Sequence, residues 1–95
     1  MHAVMRDYSD TGAKKLFNLL EKKTAEVKEV MMPIKGFVSY SLVRTARGGF
    51  SITICQDKAG TDESIRVARD WIAKNASDAH EAPPRVSEGA VILHL

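Results

Sequence analysis

The chain has 95 residues, 44% of them hydrophobic and 27% charged, with a formal net charge of +2; that composition is too apolar for a disordered chain. The charges are few in excess and mixed in sign, so with neither a basic stripe nor a stacking-aromatic motif, nucleic acid is not expected as a partner. The single cysteine, Cys55, excludes an intramolecular disulfide framework and a cysteine-rich zinc site. No apolar run approaches the ~20 residues of a membrane span.

Residues 1–95 are expected to form one domain. At this size about two thirds of the unfolded chain's surface is buried on folding, so a partner subunit would add useful burial. Met1 to Tyr8 carries neither a basic n-region nor an apolar h-region, and a soluble cytoplasmic protein that engages no membrane is expected. His2 to Tyr8 alternates as a strand, with Val4, Arg6 and Tyr8 on one face and Ala3, Met5 and Asp7 on the other.

Ser9, Asp10 and Thr11 are N-cap candidates, with Gly12 in the turn. From Ala13 onward, Leu16, Phe17, Leu20, Val27 and Met31 recur at helical spacing, between lysines and glutamates of interleaved sign. This predicts one long amphipathic helix with a solvated outer face, ended by Pro33.

Gly36 turns the chain into a strand over Phe37 to Thr45, and Gly48-Gly49 reverses it into a second over Phe50 to Gln56. A turn centred on Arg47-Gly48 places Phe37, Ser39, Ser41, Val43, Phe50, Ile52 and Ile54 on one face. This face is expected to be the floor on which helices pack. The other, with Val38, Tyr40, Leu42, Arg44, Ser51, Thr53 and Cys55, mixes apolar and hydrogen-bonding groups and is expected to be a pocket wall or a dimer surface.

Thr61 is the expected N-cap of a second helix, with Ile65, Ala68, Trp71 and Ile72 as its apolar stripe and Asn75 as its stop. A polar connector with Pro83-Pro84 leads to a last strand over Val86 to Leu95, where Gly89 marks an expected bulge. Strand, helix, strand, strand, helix, strand is the βαββαβ order of an α+β, ferredoxin-like domain: four antiparallel strands with two helices on one face. The open face of such a sheet is expected to bury itself against a second copy of the chain.

Three features carry a family resemblance: Gly36-Phe37-x-x-Tyr40 opening the second strand, Cys55-Gln56-Asp57-Lys58 leading into a helix, and Trp71 on that helix after Ala68. With the element order, they make the chain resemble the antibiotic-biosynthesis-monooxygenase-like family of the dimeric α+β barrel superfamily. The resemblance implies ferredoxin-like domains whose sheets pair into a barrel enclosing a cavity. It also implies a range of activities, from cofactor-independent monooxygenases on polycyclic aromatics to haem-degrading enzymes and isomerases. The haem-degrading branch uses an asparagine in the first strand, a tryptophan on the second helix and a histidine after it. Trp71 and His80 match the last two, while the first strand offers Arg6-Asp7-Tyr8 and no asparagine.

The expected site residues lie on the Tyr40 face. Tyr40 would hydrogen-bond or protonate a bound phenol, Trp71 would stack on an aromatic ring, and Arg6 would hold an anionic group. Tyr8, Leu42, Arg44 and Thr53 are expected to help bind the ligand. In this topology His2, Cys55 and His94 come to one end of the sheet with donor types suited to zinc or copper. Nothing sets them on one face, and no metal or other cofactor is expected. Two readings follow: a homodimeric, cofactor-independent monooxygenase acting on a small aromatic compound, or a non-catalytic homodimer whose interior is an interface core or a ligand-binding cavity.

Overall fold

Small and large residues alternate in the middle of the chain: Ser51, Thr53 and Cys55 are buried, whereas Phe50, Ile52 and Ile54 are only half-buried. The strand they form, β3, is one of two inner strands of the sheet. The computed structural model describes residues 1–9, 12–76 and 83–95. The elements are β1 (His2–Tyr8), α1 (Ala13–Lys22), α2 (Thr24–Met31), β2 (Phe37–Thr45), β3 (Gly48–Cys55), α3 (Lys58–Asn75) and β4 (Arg85–Ala90). The strands run in the order β2-β3-β1-β4, every pairing antiparallel, which is the expected ferredoxin-like sheet. Among the described residues, no helix is long and apolar enough to cross a membrane.

Which face the helices cover is the reverse of the sequence expectation. Leu16, Phe17, Leu20, Val27, Met31, Ala68 and Trp71 from the three helices form one core with Tyr8 and Cys55, against which Tyr40 and Leu42 also pack. Ser51 and Thr53 are buried on the same side. The physical reason is size. Gly49, Ser51 and Thr53 stand opposite Tyr8, Arg6 and Val4 in the β1–β3 register, so the helices' large side chains approach the sheet over β3's short ones. Phe50, Ile52 and Ile54, expected as a floor for helices, occupy the open face instead, half-buried together with Met5. Val43 beside them is 37% exposed.

The β2–β3 hairpin is tighter than expected. Thr45 pairs with Gly48 and Val43 with Phe50, so the turn centres on Ala46-Arg47, two residues from the assumed register. A shift of two preserves side-chain parity, and the face assignments survive. The exception is a bulge between Phe37 and Ser39, which aligns Phe37 with Cys55 and turns its ring toward the helices.

The single helix expected over residues 13–31 is two. At Lys23 the backbone leaves helical geometry (φ −115°, ψ 27°), and the Lys23 N–H is shared between the Leu19 and Leu20 carbonyls. The apolar stripe itself skips from Leu20 to Val27, and the break re-aims α2 so that Val27 and Met31 still reach the core. The N-cap of α1 is Gly12, at φ 86° with no side-chain cap bond; of the expected cap residues, Asp10 and Thr11 lie outside the described residues. For α3 the N-cap is Asp57, not Thr61, its carboxylate accepting from the Gly60 N–H at 3.0 Å. Gly60 and Thr61 are therefore buried inside the helix, where Gly60 lets it pass close to Cys55. Strand β4 ends at Ala90 rather than Leu95, and Gly89 pairs in register with Ala3, without a bulge.

The close fit of α1 on the hairpin is set by Gly49, where an added Cβ would collide with the Phe17 ring and the Val43 carbonyl. Gly49→Ala is expected to destabilise the fold by ~1–3 kcal/mol, as overpacking does. It should appear as a lower urea midpoint with an unchanged slope.

Candidate functional site

Alternation in β1 puts Arg6 between Val4 and Tyr8 on the covered face. A guanidinium is thereby carried into the interior, where Arg6 is only 4% exposed. Space for it exists because its cross-strand neighbour on β3 is the short Ser51. Its Nη1 donates to the Tyr8 hydroxyl at 3.1 Å and its Nη2 to the Tyr40 hydroxyl at 3.5 Å. Its Cζ lies 5.9 Å from the centroid of the Tyr8 ring, within cation–π range. The Nε–H has no hydrogen-bond partner, and no carboxylate pairs with Arg6 among the described residues. An interior charge without a counter-ion costs roughly several kcal/mol. Two phenol oxygens and one ring offset that cost only in part.

Three helices roof this charge. Trp71 and Ala68 of α3, Val27 and Met31 of α2 and Leu20 of α1 surround a void of about 20 Å³, with Arg6, Tyr8, Tyr40, Leu42 and Ser51 as its floor. That volume suits about one water molecule. On one side it adjoins a larger hollow of about 460 Å³, between α3 and the β1–β4 edge. Arg6, Tyr8 and Ile72 are shared with the void, and Ile65, Arg69, Pro84 and Val86 complete the main walls. On the other side, a hollow of about 480 Å³ between α2 and β2 shares Tyr40, Leu42, Val27 and Met31 with it. Each hollow is within the usual range for a small-ligand site, about 300–1,000 Å³.

The structure brings Arg6, Tyr40, Trp71, Tyr8 and Leu42 together and leaves two expected residues out. Arg44 is at the sheet's far edge, where it donates to the Phe17 carbonyl at 3.2 Å and to Glu21 Oε1 at 3.1 Å, tethering β2 to α1. Thr53 is fully buried beneath the core and lines none of these hollows. The cavity also lies elsewhere than expected, between sheet and helices of one chain rather than between two facing sheets. Sequence reasoning missed Arg69. Its spacing, four residues after Ile65 and three before Ile72 along one face of α3, was the available signal.

Cys55 and His2 pair across strands as the topology required. His2 is occupied, however: Nδ1 hydrogen-bonds Thr61 Oγ1 at 2.8 Å, and Nε2 is 3.7 Å from Glu88. His94 is exposed beyond β4. Burial, reinforced by the nearby Asp57 carboxylate, pushes the Cys55 thiol upward, so it stays protonated and non-nucleophilic. No group of three or more metal-binding side chains is found among the described residues.

Burial also raises the Tyr40 phenol above its usual 10.0, against the opposing effects of the Arg6 charge and of hydrogen bonding from Ser51 and Arg6. Tyr40 is therefore a neutral O–H at neutral pH, able to donate while accepting from Arg6. Above pH 10.0 an unfolded tyrosine ionises while the buried one keeps its proton. The unfolded state then binds fewer protons, and stability falls as pH rises. Tyr40→Phe should flatten this fall between about pH 9 and about pH 11, read from urea midpoints measured stepwise with pH.

No protein-family model matches the chain, and no curated protein is recognisably related to it. Solved structures do match. A haem-degrader, MhuD from Mycobacterium tuberculosis, determined with two haems in its active site, superposes with a TM-score of 0.66 at 16% identity, over 99% of this chain and 97% of that one. A dimeric ferredoxin-like protein from an uncultured marine organism gives 0.64 at 17% identity, over 99% and 94%. A monooxygenase from the gene ActVA-Orf6 of Streptomyces coelicolor, in complex with Nanaomycin D, gives 0.61 at 17%, over 98% and 91%. Haem does not fit the residues described. Histidine lines none of the three hollows, His80 lies outside the described residues, and the phenol oxygens accept from a guanidinium whose charge opposes a metal cation. At these identities the likeness is one of architecture: the chain has the fold of the antibiotic-biosynthesis-monooxygenase-like proteins.

Proposed function

We propose that the chain is a cofactor-independent monooxygenase acting on a small aromatic compound held between its helices and its sheet. The observation that carries this reading is the neutral Tyr40 hydroxyl 3.5 Å from a buried guanidinium that has no carboxylate partner among the described residues, with Trp71 across a small void that adjoins two hollows of ligand size. A hydroxyarene with an oxidisable ring carbon supplies its own electrons. Once its phenol is deprotonated, the electron-rich carbon is oxidised by O₂; one oxygen atom becomes a ring carbonyl and the other leaves as water with the displaced hydrogens. The protein's part is to stabilise the phenolate. Tyr40 donates to the oxyanion, Arg6 supplies positive charge at low dielectric, and Trp71 stacks on the ring while the helices exclude water.

Oxygen uptake measured with a panel of hydroquinones and anthrone-like hydroxyarenes tests this. Turnover is expected with at least one class, and Tyr40→Phe should slow it by about a hundredfold to a thousandfold, as loss of one oxyanion donor does. Absence of uptake across the panel overturns the proposal. That result would favour the second reading, a non-catalytic homodimer, which has its own support in the small size of the central void, about 20 Å³.

Both readings place a second copy on the open sheet face. The support is its composition, with Met5, Phe50, Ile52 and Ile54 half-buried and Val43 exposed on one chain alone, together with the dimeric ferredoxin-like neighbours. Ile52→Glu should convert a dimer to a folded monomer in light scattering, because a charge there would be buried unpaired. A wild-type monomer at micromolar concentration would refute the assembly.

A further inference from the structure

The hollow on the α3 side has a polarity that the oxygenase reading does not require. Arg6 is its floor and Arg69 is on its wall, and neither makes an ion pair among the described residues. Between them the surface is apolar, from Ile65, Ile72, Pro84 and Val86. A guanidinium has five N–H donors. In Arg6, one donates to Tyr8 and one to Tyr40, and Nε–H is unpartnered. The remaining donors keep the planar fork that matches a carboxylate in two parallel hydrogen bonds. Arg69 is exposed and adds a second positive charge along the path into the hollow.

We propose that this hollow is a receptor for an aromatic carboxylate, with the carboxylate on Arg6, the ring against Ile72 and Val86, and Arg69 attracting the anion at the opening. The carboxylate supplies the counter-ion that Arg6 does not have among the described residues. The apolar walls take the ring, and the Tyr8 hydroxyl, which accepts from the same guanidinium, lines the hollow beside it. The receptor concerns the cavity of the oxygenase reading and rests on that cavity taking a ligand; it adds the charge and class of the molecule that enters.

The test uses 2-naphthoate, neutral 2-naphthamide and cationic 2-naphthylmethylamine on the intact chain. Affinities come from calorimetry, and the indole N–H resonance of Trp71, the only tryptophan, reports from the adjoining void that shares Arg6, Tyr8 and Ile72 with the hollow. Naphthoate should bind about tenfold or more tightly than the amide and shift the indole signal, as expected for a charge-assisted pair, while the amine does not bind. Arg6→Gln should bring the acid down to the amide's affinity. Arg69→Ala, a change at an exposed position, should weaken the acid about threefold and leave the amide unchanged. If Arg6→Gln does not fold, the three ligands on the wild-type chain decide the matter. Equal affinity for acid and amide, or no binding of the acid, overturns the receptor. Naphthoate has no oxidisable hydroxyl, so acid-selective binding without oxygen uptake on the hydroquinone panel would keep the receptor and remove the oxygenase. Uptake without preference for the acid would do the reverse.

Discussion

The short side chains of β3 are the constraint on which the rest depends. Gly49, Ser51, Thr53 and Cys55 form a low track along one face of an inner strand. Because that track is low, α1 and α3 settle on it with Phe17, Ala68 and Trp71 in one core. Since Ser51 is short, the long side chain of Arg6 on the adjacent strand can lie inward instead of reaching for solvent. A larger residue at Ser51 would take the space of the guanidinium, and one at Gly49 would lift α1. The site and the packing of the helices thus have a common origin in the side-chain sizes of one strand.

The energetics of the interior are uneven. Most of the core is aliphatic and aromatic and is stabilised by burial at ~25 cal/mol per Å² of apolar surface. Within it, the cluster of Arg6, Tyr8 and Tyr40 is held by hydrogen bonds from a full positive charge to neutral phenol oxygens, one of them long at 3.5 Å. Such a group is not the cheapest way to fill a core, since an apolar residue of similar volume avoids the desolvation penalty. That cost marks the cluster as the place for a function more than the exposed ion pairs of α3, where Arg66 bridges Glu63 and Asp70 and Lys58 meets Asp62. Those pairs are solvated, and each contributes little to stability.

Much of the architecture was legible in the sequence. Period-2 alternation located β1, β2 and β3 and sorted their residues into two faces, and the order of elements specified the ferredoxin-like sheet. The convergence of Arg6, Tyr8, Tyr40 and Trp71 followed from those face assignments. Choosing the covered face did not, because hydrophobicity measures burial without saying whether a helix or another chain provides it. Phe50, Ile52 and Ile54 have the stronger apolar signal, yet they point away from the helices. Other details escaped for local reasons. Lys23 interrupts a helical periodicity that continues in register on both sides, and Asp57 caps α3 a turn earlier than Thr61 suggested. Arg69 reads as one more solvated charge until Pro84 and Val86 are seen opposite it across the hollow.

Alternation along β1 has a consequence for how such a protein changes over time. Arg6 and Tyr8 belong to the cavity, while Met5 and Asp7, their immediate neighbours in the chain, belong to the opposite surface. The same interleaving holds on β3 for Ser51 and Thr53 against Ile52 and Ile54. Drift at odd positions of β1 can therefore remodel how the open face meets a neighbour without disturbing what the cavity recognises, and drift at even positions can do the converse. A ligand in the cavity and a neighbour on the open face would thus bear on alternate residues of one short strand, and the pleat of the sheet keeps the two sets apart.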